Sequence, residues 1–223
     1  MELIEAPAYK TPLQKRSRES LERILEAAEE QIRAEGLESL TIADVVRGAG
    51  LSVGAFYSRF PDKTALLHAV QERFHNKIEP LIHQELSAPP EDGETLEGAV
   101  NRSIDVLIKY VVGERELSRA FMMSSVFDPI LRSRGEQVNQ ARRETLVSVL
   151  MAHSAGIGHP DPVLAIGMAY AMYAAVVREV LMFGAQHELY YNIPSCTIFS
   201  ELKEALALYL RGGSNVNRWK SPA

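Results

Sequence analysis

Short apolar stripes at helical spacing mark the first third of the chain. Between residues 17 and 35 apolar positions recur every three or four residues, which predicts an amphipathic helix that ends at Gly36. A second stripe follows Thr41 at i, i+3, i+4 and i+7, with Asp44 placed as in a capping box. The pattern therefore predicts a long helix followed by a helix of barely two turns.

The next residues predict a third short helix with a sharp stop. Gly50 can supply the positive φ of a tight turn, and Ser52 can cap the helix that follows. The bulky positions of this helix are Phe56, Tyr57 and Phe60. Pro61 prevents its continuation, and Asp62 can cap a fourth, longer helix that carries a kink-prone Pro80.

Two short helices joined by a glycine turn and braced by longer helices are typical of a helix-turn-helix unit. The second short helix of such a unit can lie in a DNA major groove. A small three-helix core also serves functions unrelated to DNA, so the periodicity leaves both interpretations open.

Beyond residue 94 the pattern is helical throughout, without the alternation of a strand, which predicts an all-α protein. The predicted helices span residues 95–113, 114–126, 128–155, 161–184 and 194–211. Residues 163–184 are apolar almost all round, so we expect this helix to be buried between other helices or against a second subunit. Its uninterrupted near-apolar run, residues 163–177, ends at Arg178 and is shorter than the roughly 20 residues needed to cross a bilayer, so no membrane contact is expected.

The charge balance argues against a surface covered with nucleic-acid contacts but allows a local one. The chain has 223 residues, 46% of them hydrophobic, and a net charge of −5. Its charges are segregated, because residues 10–18 carry only basic groups (Lys10, Lys15, Arg16 and Arg18). This basic arm can follow a DNA groove or be simply disordered.

The residue types of enzymes and metal centres do not form recognisable patterns. His68, His75 and His83 recur at about helical intervals, but positions seven apart are about 10.5 Å apart along a helix, too far to share one ion. Cys196 is the only cysteine, which fits a reducing compartment, and no export signal is evident, so we expect a cytoplasmic protein. We expect no enzyme activity, metal or cofactor.

One run of residues is similar to a known family. Residues 18–74 resemble the TetR family of bacterial transcriptional regulators. The resemblance is carried by the run TIADVVRGAGLSVGAFYSRFPDKTALL. The resemblance implies an N-terminal helix-turn-helix domain followed by a larger helical domain for ligand binding and dimerisation. We therefore expect a basic, flexible arm at 1–16, a DNA-binding domain at 17–62, an effector-binding and dimerisation domain at 63–213, and a tail at 214–223.

The resemblance also assigns candidate DNA contacts. The matching positions are Thr41, Ser52, Val53, Gly54, Ala55, Tyr57, Arg59 and Lys63. A hydroxyl beside free helix N–H groups suits a phosphate at Thr41, and Val53 and Ala55 can meet a thymine methyl. Ala55 stands where the family often has a hydroxyl residue, and Arg59 where histidine is more frequent, so the operator sequence does not carry over.

The larger domain is expected to bind an apolar or aromatic effector. Candidate pocket residues are Tyr110, Phe121, Met122, Phe127, Met168, Met172 and Tyr173, and ordinary core packing is the alternative for each. The resemblance implies a homodimer that binds double-stranded DNA at an inverted repeat, most simply a repressor released by its effector. The competing interpretations are a helical small-molecule enzyme or carrier, and a dimeric interaction module, neither with a DNA role.

Overall fold

A computed structural model describes residues 15–183 and 193–212, and within these ranges the regular structure is entirely helical. The helices are α1 Lys15–Glu35, α2 Ile42–Gly48, α3 Val53–Tyr57, α4 Lys63–Leu86, α5 Leu96–Gly113, α6 Arg115–Ser124, α7 Pro129–Met151, α8 Pro162–Phe183 and α9 Ser195–Arg211. The all-α prediction is confirmed. The predicted helix at 128–155 ends earlier, at Met151, and a 3-10 turn at Ser154–Gly156 follows it. The predicted tail and nearly all of the basic arm lie outside the described residues.

The chain divides into two compact units. The N-terminal unit takes in residues up to Glu79 and residues Glu114–Glu136, and the C-terminal unit takes in Pro80–Gly113 and the residues from Gln137 onward. The N-terminal unit thus holds α1 to α3, most of α4, all of α6 and the start of α7. It is larger than the predicted DNA-binding domain, because α6 packs against α1. The predicted functional division at residue 62 stays a prediction.

Aromatic side chains from the third helix and the turn after it fill the core of the N-terminal unit. Phe56 and Phe60 are fully buried, with ring centroids 5.3 Å apart. Gly48 lets α2 approach α1 closely, since a Cβ there would lie 3.3 Å from the Cβ of Ala27. Burial of large apolar groups is the main source of stability in so small a helical core.

A buried carboxylate links three segments of the N-terminal unit. Glu29 on α1 is only 3% exposed and pairs with Arg33 and with Arg73 of α4, each at 3.2 Å. Arg33 also bonds Glu114, the residue before α6, at 2.9 Å. These pairs compensate the cost of removing Glu29 from water, and they fix α1, α4 and the start of α6 in one arrangement.

A second polar cluster connects α4 to the start of α7 within the same unit. The His68 side chain is buried, and its Nε2 lies 2.6 Å from an oxygen of Asp128, whose other oxygen accepts bonds from the N–H groups of Ile130 and Leu131. Burial raises the pKa of Asp128, but the bonds from His68 and Leu131 outweigh it and hold that pKa below its usual range. The histidine has a structural partner, and the described residues contain no group of three potential metal ligands.

The C-terminal unit is built around α5, α8 and α9. Buried apolar side chains from these helices include Ala99, Leu107, Ile166, Val177, Leu202 and Leu206. Gly158 N–H donates to the Leu210 carbonyl at 2.9 Å, and Lys203 on α9 bonds Asp105 on α5 at 2.7 Å. The free thiol Cys196 is exposed in the first turn of α9.

One stripe of α8 is left uncovered by the described parts of the chain. Leu164, Met168, Ala171 and Ala175 succeed one another at helical spacing, and all four are exposed. Among the described helices, α8 is the one long and apolar enough to cross a membrane, and 39% of its most apolar 18 residues are buried; core helices of soluble proteins can have the same composition. The predicted burial between helices therefore holds for one face of α8 only.

We expect the stability of the C-terminal unit to depend on pH through Glu94. Its side chain is 7% exposed and accepts two bonds from Arg102, at 2.8 and 3.0 Å, and these bonds lower its pKa. The stabilisation of the folded state by ionised Glu94 is fully present above the ordinary glutamate pKa of 4.5. It is lost as the pH falls through the lower pKa that Glu94 has in the folded protein. Glu94→Gln should reduce the free energy of unfolding by about 1–2 kcal/mol at pH 7.

Urea denaturation at a series of pH values measures this effect. The difference between wild type and Glu94→Gln should shrink toward acid pH, whereas Glu201→Gln, at an exposed position on α9, should leave the profile unchanged. A constant difference from pH 7 down to pH values below the folded pKa would contradict the assignment.

Candidate nucleic-acid interface

The helix-turn-helix geometry is set by two side-chain caps and one glycine. Thr41 Oγ1 accepts a bond from Asp44 N–H at 3.1 Å at the start of α2, and Ser52 Oγ accepts one from Ala55 N–H at 3.2 Å at the start of α3. Gly50 has φ +63°, a conformation that favours glycine, in the turn between the two helices. Both caps and the turn agree with the sequence-based predictions.

The third helix presents an exposed face opposite its buried aromatics. Val53 and Tyr57 are 49% and 54% exposed, and Ser52 and Gly54, on either side of Val53, are also exposed. The Tyr57 ring packs edge-on against Phe56, with centroids 5.3 Å apart. Its hydroxyl has no partner in the described part of the chain. The helix therefore exposes a small apolar surface and one phenol to solvent. The buried rings of Phe56 and Phe60 pack beneath this exposed face.

The hydroxyl at the start of α2 is already engaged. Thr41 Oγ1 donates to a carboxylate oxygen of Asp44 at 2.6 Å, and Arg47 contacts the same carboxylate. The bond from Thr41, together with the charge of Arg47, lowers the pKa of Asp44, so this group stays ionised. A phosphate bound at Thr41 must therefore replace Asp44 as the acceptor for its hydroxyl proton.

The two predicted cationic contacts are also held by neighbours. Arg59 is partly buried and donates to Ser17 Oγ on α1 at 3.0 Å. Lys63 Nζ lies 3.5 Å from the Leu37 carbonyl in the loop before α2. Both contacts are single bonds to neutral oxygens, which a phosphate can replace with a stronger, charge-assisted bond. Sequence reasoning missed these partners because both are distant along the chain.

The candidate DNA contacts thus all belong to the N-terminal unit, where they lie just before α2, on α3 and in the residues that flank it, and at the start of α4. Most of their side chains are exposed, and Ala55, Arg59 and Lys63 are partly exposed. This arrangement is compatible with a common surface on DNA. Their role in DNA binding stays a prediction.

The candidate effector residues are divided between the two units. Phe121, Met122 and Phe127 belong to the N-terminal unit, and Tyr110, Met168, Met172 and Tyr173 to the C-terminal unit. Phe121 and Tyr173 are buried, Met122 and Met172 are partly exposed, and Met168 and Phe127 are exposed, the latter by 89%. Phe121 packs on Phe74 with centroids 5.3 Å apart, and the Tyr110 hydroxyl donates to Glu85. An effector-binding role for these seven residues stays a prediction.

These features define the class of protein. The N-terminal unit is a helix-turn-helix domain of the kind found in DNA-binding regulators. Residues 24–70 match the family model described as "Bacterial regulatory proteins, tetR family".

Two curated relatives are regulators of this kind. The uncharacterized HTH-type transcriptional regulator YvdT of Bacillus subtilis is 45% identical over 51 residues, which cover 23% of this chain and 26% of the relative. The HTH-type transcriptional regulator BetI of Escherichia coli is 28% identical over 126 residues, which cover 53% of this chain and 61% of the relative. The chain thus spans less than two thirds of the length of either relative.

Solved structures extend the likeness over most of the chain. A transcriptional regulator from Rhodococcus sp. Rha1 has a TM-score of 0.61 at 21% identity, covering 86% of this chain and 94% of that one. Salmonella enterica GusR has a TM-score of 0.62 at 20% identity, covering 91% and 100%. At these identities the likeness concerns the fold. Taken together, residues 24–70 are similar to the TetR family, and the chain shares the fold of the solved transcriptional regulators.

Proposed function

We propose that the protein is a ligand-responsive repressor that binds an inverted-repeat operator as a homodimer through α2, α3 and the start of α4. The observation that carries this proposal is the exposed pair Val53 and Tyr57, which stands on the fully buried Phe56 and Phe60. A rigid short helix with an apolar and phenolic face suits base edges and phosphates in a major groove. Such a regulator acts in the cytoplasm, where its operator lies.

The exposed stripe of α8 supports the homodimer. Leu164, Met168, Ala171 and Ala175 form a continuous apolar band, which a second copy of α8 can cover across a two-fold axis. A two-fold dimer presents two copies of α3 to the same duplex, which explains why an inverted repeat is the expected target.

An effector that prefers the DNA-free arrangement releases such a dimer. The candidate residues for an apolar or aromatic effector supply large and adaptable side chains for this purpose. A coupling free energy of about 1–3 kcal/mol between effector and operator is enough to change DNA affinity five- to 150-fold.

Tyr57→Phe and Lys63→Ala are expected to weaken operator binding by about tenfold each, since each removes a charge-assisted bond to phosphate. Lys63→Ala should also reduce the slope of log affinity against log salt by about 0.9. Fluorescence anisotropy with a duplex from the gene's own promoter measures both quantities.

Matched controls are available on the same chain. Tyr209→Phe on α9 and Lys77→Ala on α4 make the same chemical changes at positions outside the proposed interface. If all four variants bind DNA equally well, or if wild type shows no salt-dependent binding, the proposal fails. Turnover or carriage of a small molecule without DNA binding would favour the alternative of an enzyme or carrier.

A further inference from the structure

A cleft in the N-terminal unit contains none of the candidate DNA contacts. It has a volume of about 210 Å³ and opens between the loop after α1 and one face of α6. Its lining residues are Leu37, Glu38, Glu116, Arg119, Ala120, Met123, Ser124 and Phe127. We call it the α6 cleft. Of the predicted effector residues only Phe127 belongs to it.

The lining combines an apolar surface with a charged rim. Leu37, Ala120 and Met123 supply the apolar part, and Phe127 offers an aromatic ring that is 89% exposed. A volume below the roughly 300–1,000 Å³ of drug-sized pockets admits only a small molecule.

The charges of the rim favour a cation. Glu38 and Glu116 contribute two carboxylates against the single guanidinium of Arg119. Glu38 and Arg119 have no ion-pair partner in the described ranges, and Glu116 reaches only Arg115, at 4.0 Å. An ammonium group is attracted by both carboxylates and by the face of an aromatic ring, while its apolar body can cover the methionine and leucine.

The same loop is bonded to the candidate DNA contacts. The Leu37 carbonyl lies 3.5 Å from Lys63 Nζ, and the Ser39 carbonyl accepts a bond from Gln31 at 3.0 Å. Gln31 also reaches the carboxylate of Asp44, which holds the Thr41 hydroxyl. A molecule that displaces Leu37 or Glu38 therefore acts on the surroundings of Lys63 and Thr41 through one short loop.

We propose that the α6 cleft is an effector site for a small organic cation with an aromatic or aliphatic body, and that its occupation changes DNA affinity from within the N-terminal unit. The binding part of this inference stands alone, and the regulatory part rests on the proposed function. The site is distinct from a pocket built from the candidate residues of the C-terminal unit.

Binding is tested on the full chain with two probes of opposite charge. Benzylammonium and phenylacetate share a ring and differ in their charged group, and chemical-shift perturbation detects weak binding of either. Benzylammonium should bind more tightly, and its shifts should map to residues of α6 and the loop after α1. Equal binding, tighter binding of phenylacetate, or binding of neither probe overturns the inference.

Charge variants of the rim give the sharper test because their effects have opposite signs. Glu38→Gln and Glu116→Gln should each weaken benzylammonium about two- to fivefold, and Arg119→Gln should strengthen it by a similar factor. Glu201→Gln, at an exposed position on α9, is the matched control and should change nothing. Met123→Trp, which fills the cleft with a larger side chain at a partly exposed position, should abolish binding. Unchanged affinity in the three rim variants overturns the assignment.

The regulatory part is read from operator binding with and without benzylammonium. Saturating probe should shift the affinity of wild type for the promoter duplex, and the shift should be lost in Met123→Trp. If the probe binds but the affinity for DNA is unchanged, the site stands and its regulatory role is overturned. If the probe binds and no duplex is bound at all, the proposed function fails while the cation site remains.

Discussion

Phe56→Ala is expected to lower the free energy of unfolding of the N-terminal unit by about 3–5 kcal/mol, the usual cost of removing a fully buried aromatic side chain. Phe56 has no exposed surface and contacts the rings of both Tyr57 and Phe60. Its loss leaves a cavity directly beneath the exposed face of α3, so operator binding should fail together with stability. Urea denaturation, monitored through amide hydrogen exchange in α1 to α4, measures the loss of stability.

The neighbouring residue is the natural control. Tyr57→Ala removes a side chain of similar size from a position that is half exposed, so the loss of stability should be below about 1 kcal/mol. This variant should lose affinity for DNA while keeping its fold. Equal losses of stability at the two positions would contradict the assignment of Phe56 to the core and of Tyr57 to the exposed face of α3.

Ala171→Glu is expected to convert the proposed dimer to monomer. Ala171 is exposed near the middle of the α8 stripe, and in the proposed dimer its substitution buries an unpaired charge on each subunit. We expect the dimer dissociation constant to rise by at least about 100-fold, equivalent to roughly 2.7 kcal/mol. Analytical ultracentrifugation over a concentration series measures the constant.

Ala141→Glu makes the same change on an exposed, polar face of α7 and should leave the dimer intact. Operator affinity should fall with dimerisation in Ala171→Glu and stay normal in the control. A fully dimeric Ala171→Glu protein would exclude the α8 stripe as the subunit interface.

Local signals explain why so much of the helical fold could be predicted from sequence. Thr41, Ser52 and Asp62 cap helices through bonds to residues three positions away, and Gly50 has the positive φ expected of it. Such short-range rules act within a few residues and do not depend on the rest of the chain. The helices in the described parts of the chain were therefore predictable, with errors of a few residues at their ends.

Long-range pairing was not predictable in the same way. Nothing in the local sequence distinguishes Glu29 from the other acids of α1, yet it is buried and paired with Arg73, 44 positions later. The distant packing partner of Phe121, Phe74 on α4, likewise has no local signature. The α6 cleft was missed for the same reason, since it joins a loop at residue 37 to a helix that begins at residue 115.

The carboxylate of Asp44 has a consequence for how tightly the proposed interface can hold any duplex. It is ionised beside the proposed phosphate contact at Thr41, so it opposes an approaching phosphate whatever the DNA sequence, and Arg47, which contacts the same carboxylate, reduces this repulsion. Because the repulsion is common to correct and incorrect sites, it lowers the affinity for both and leaves their ratio to the base contacts of α3. One acid within the proposed docking face thus moderates absolute affinity without changing specificity.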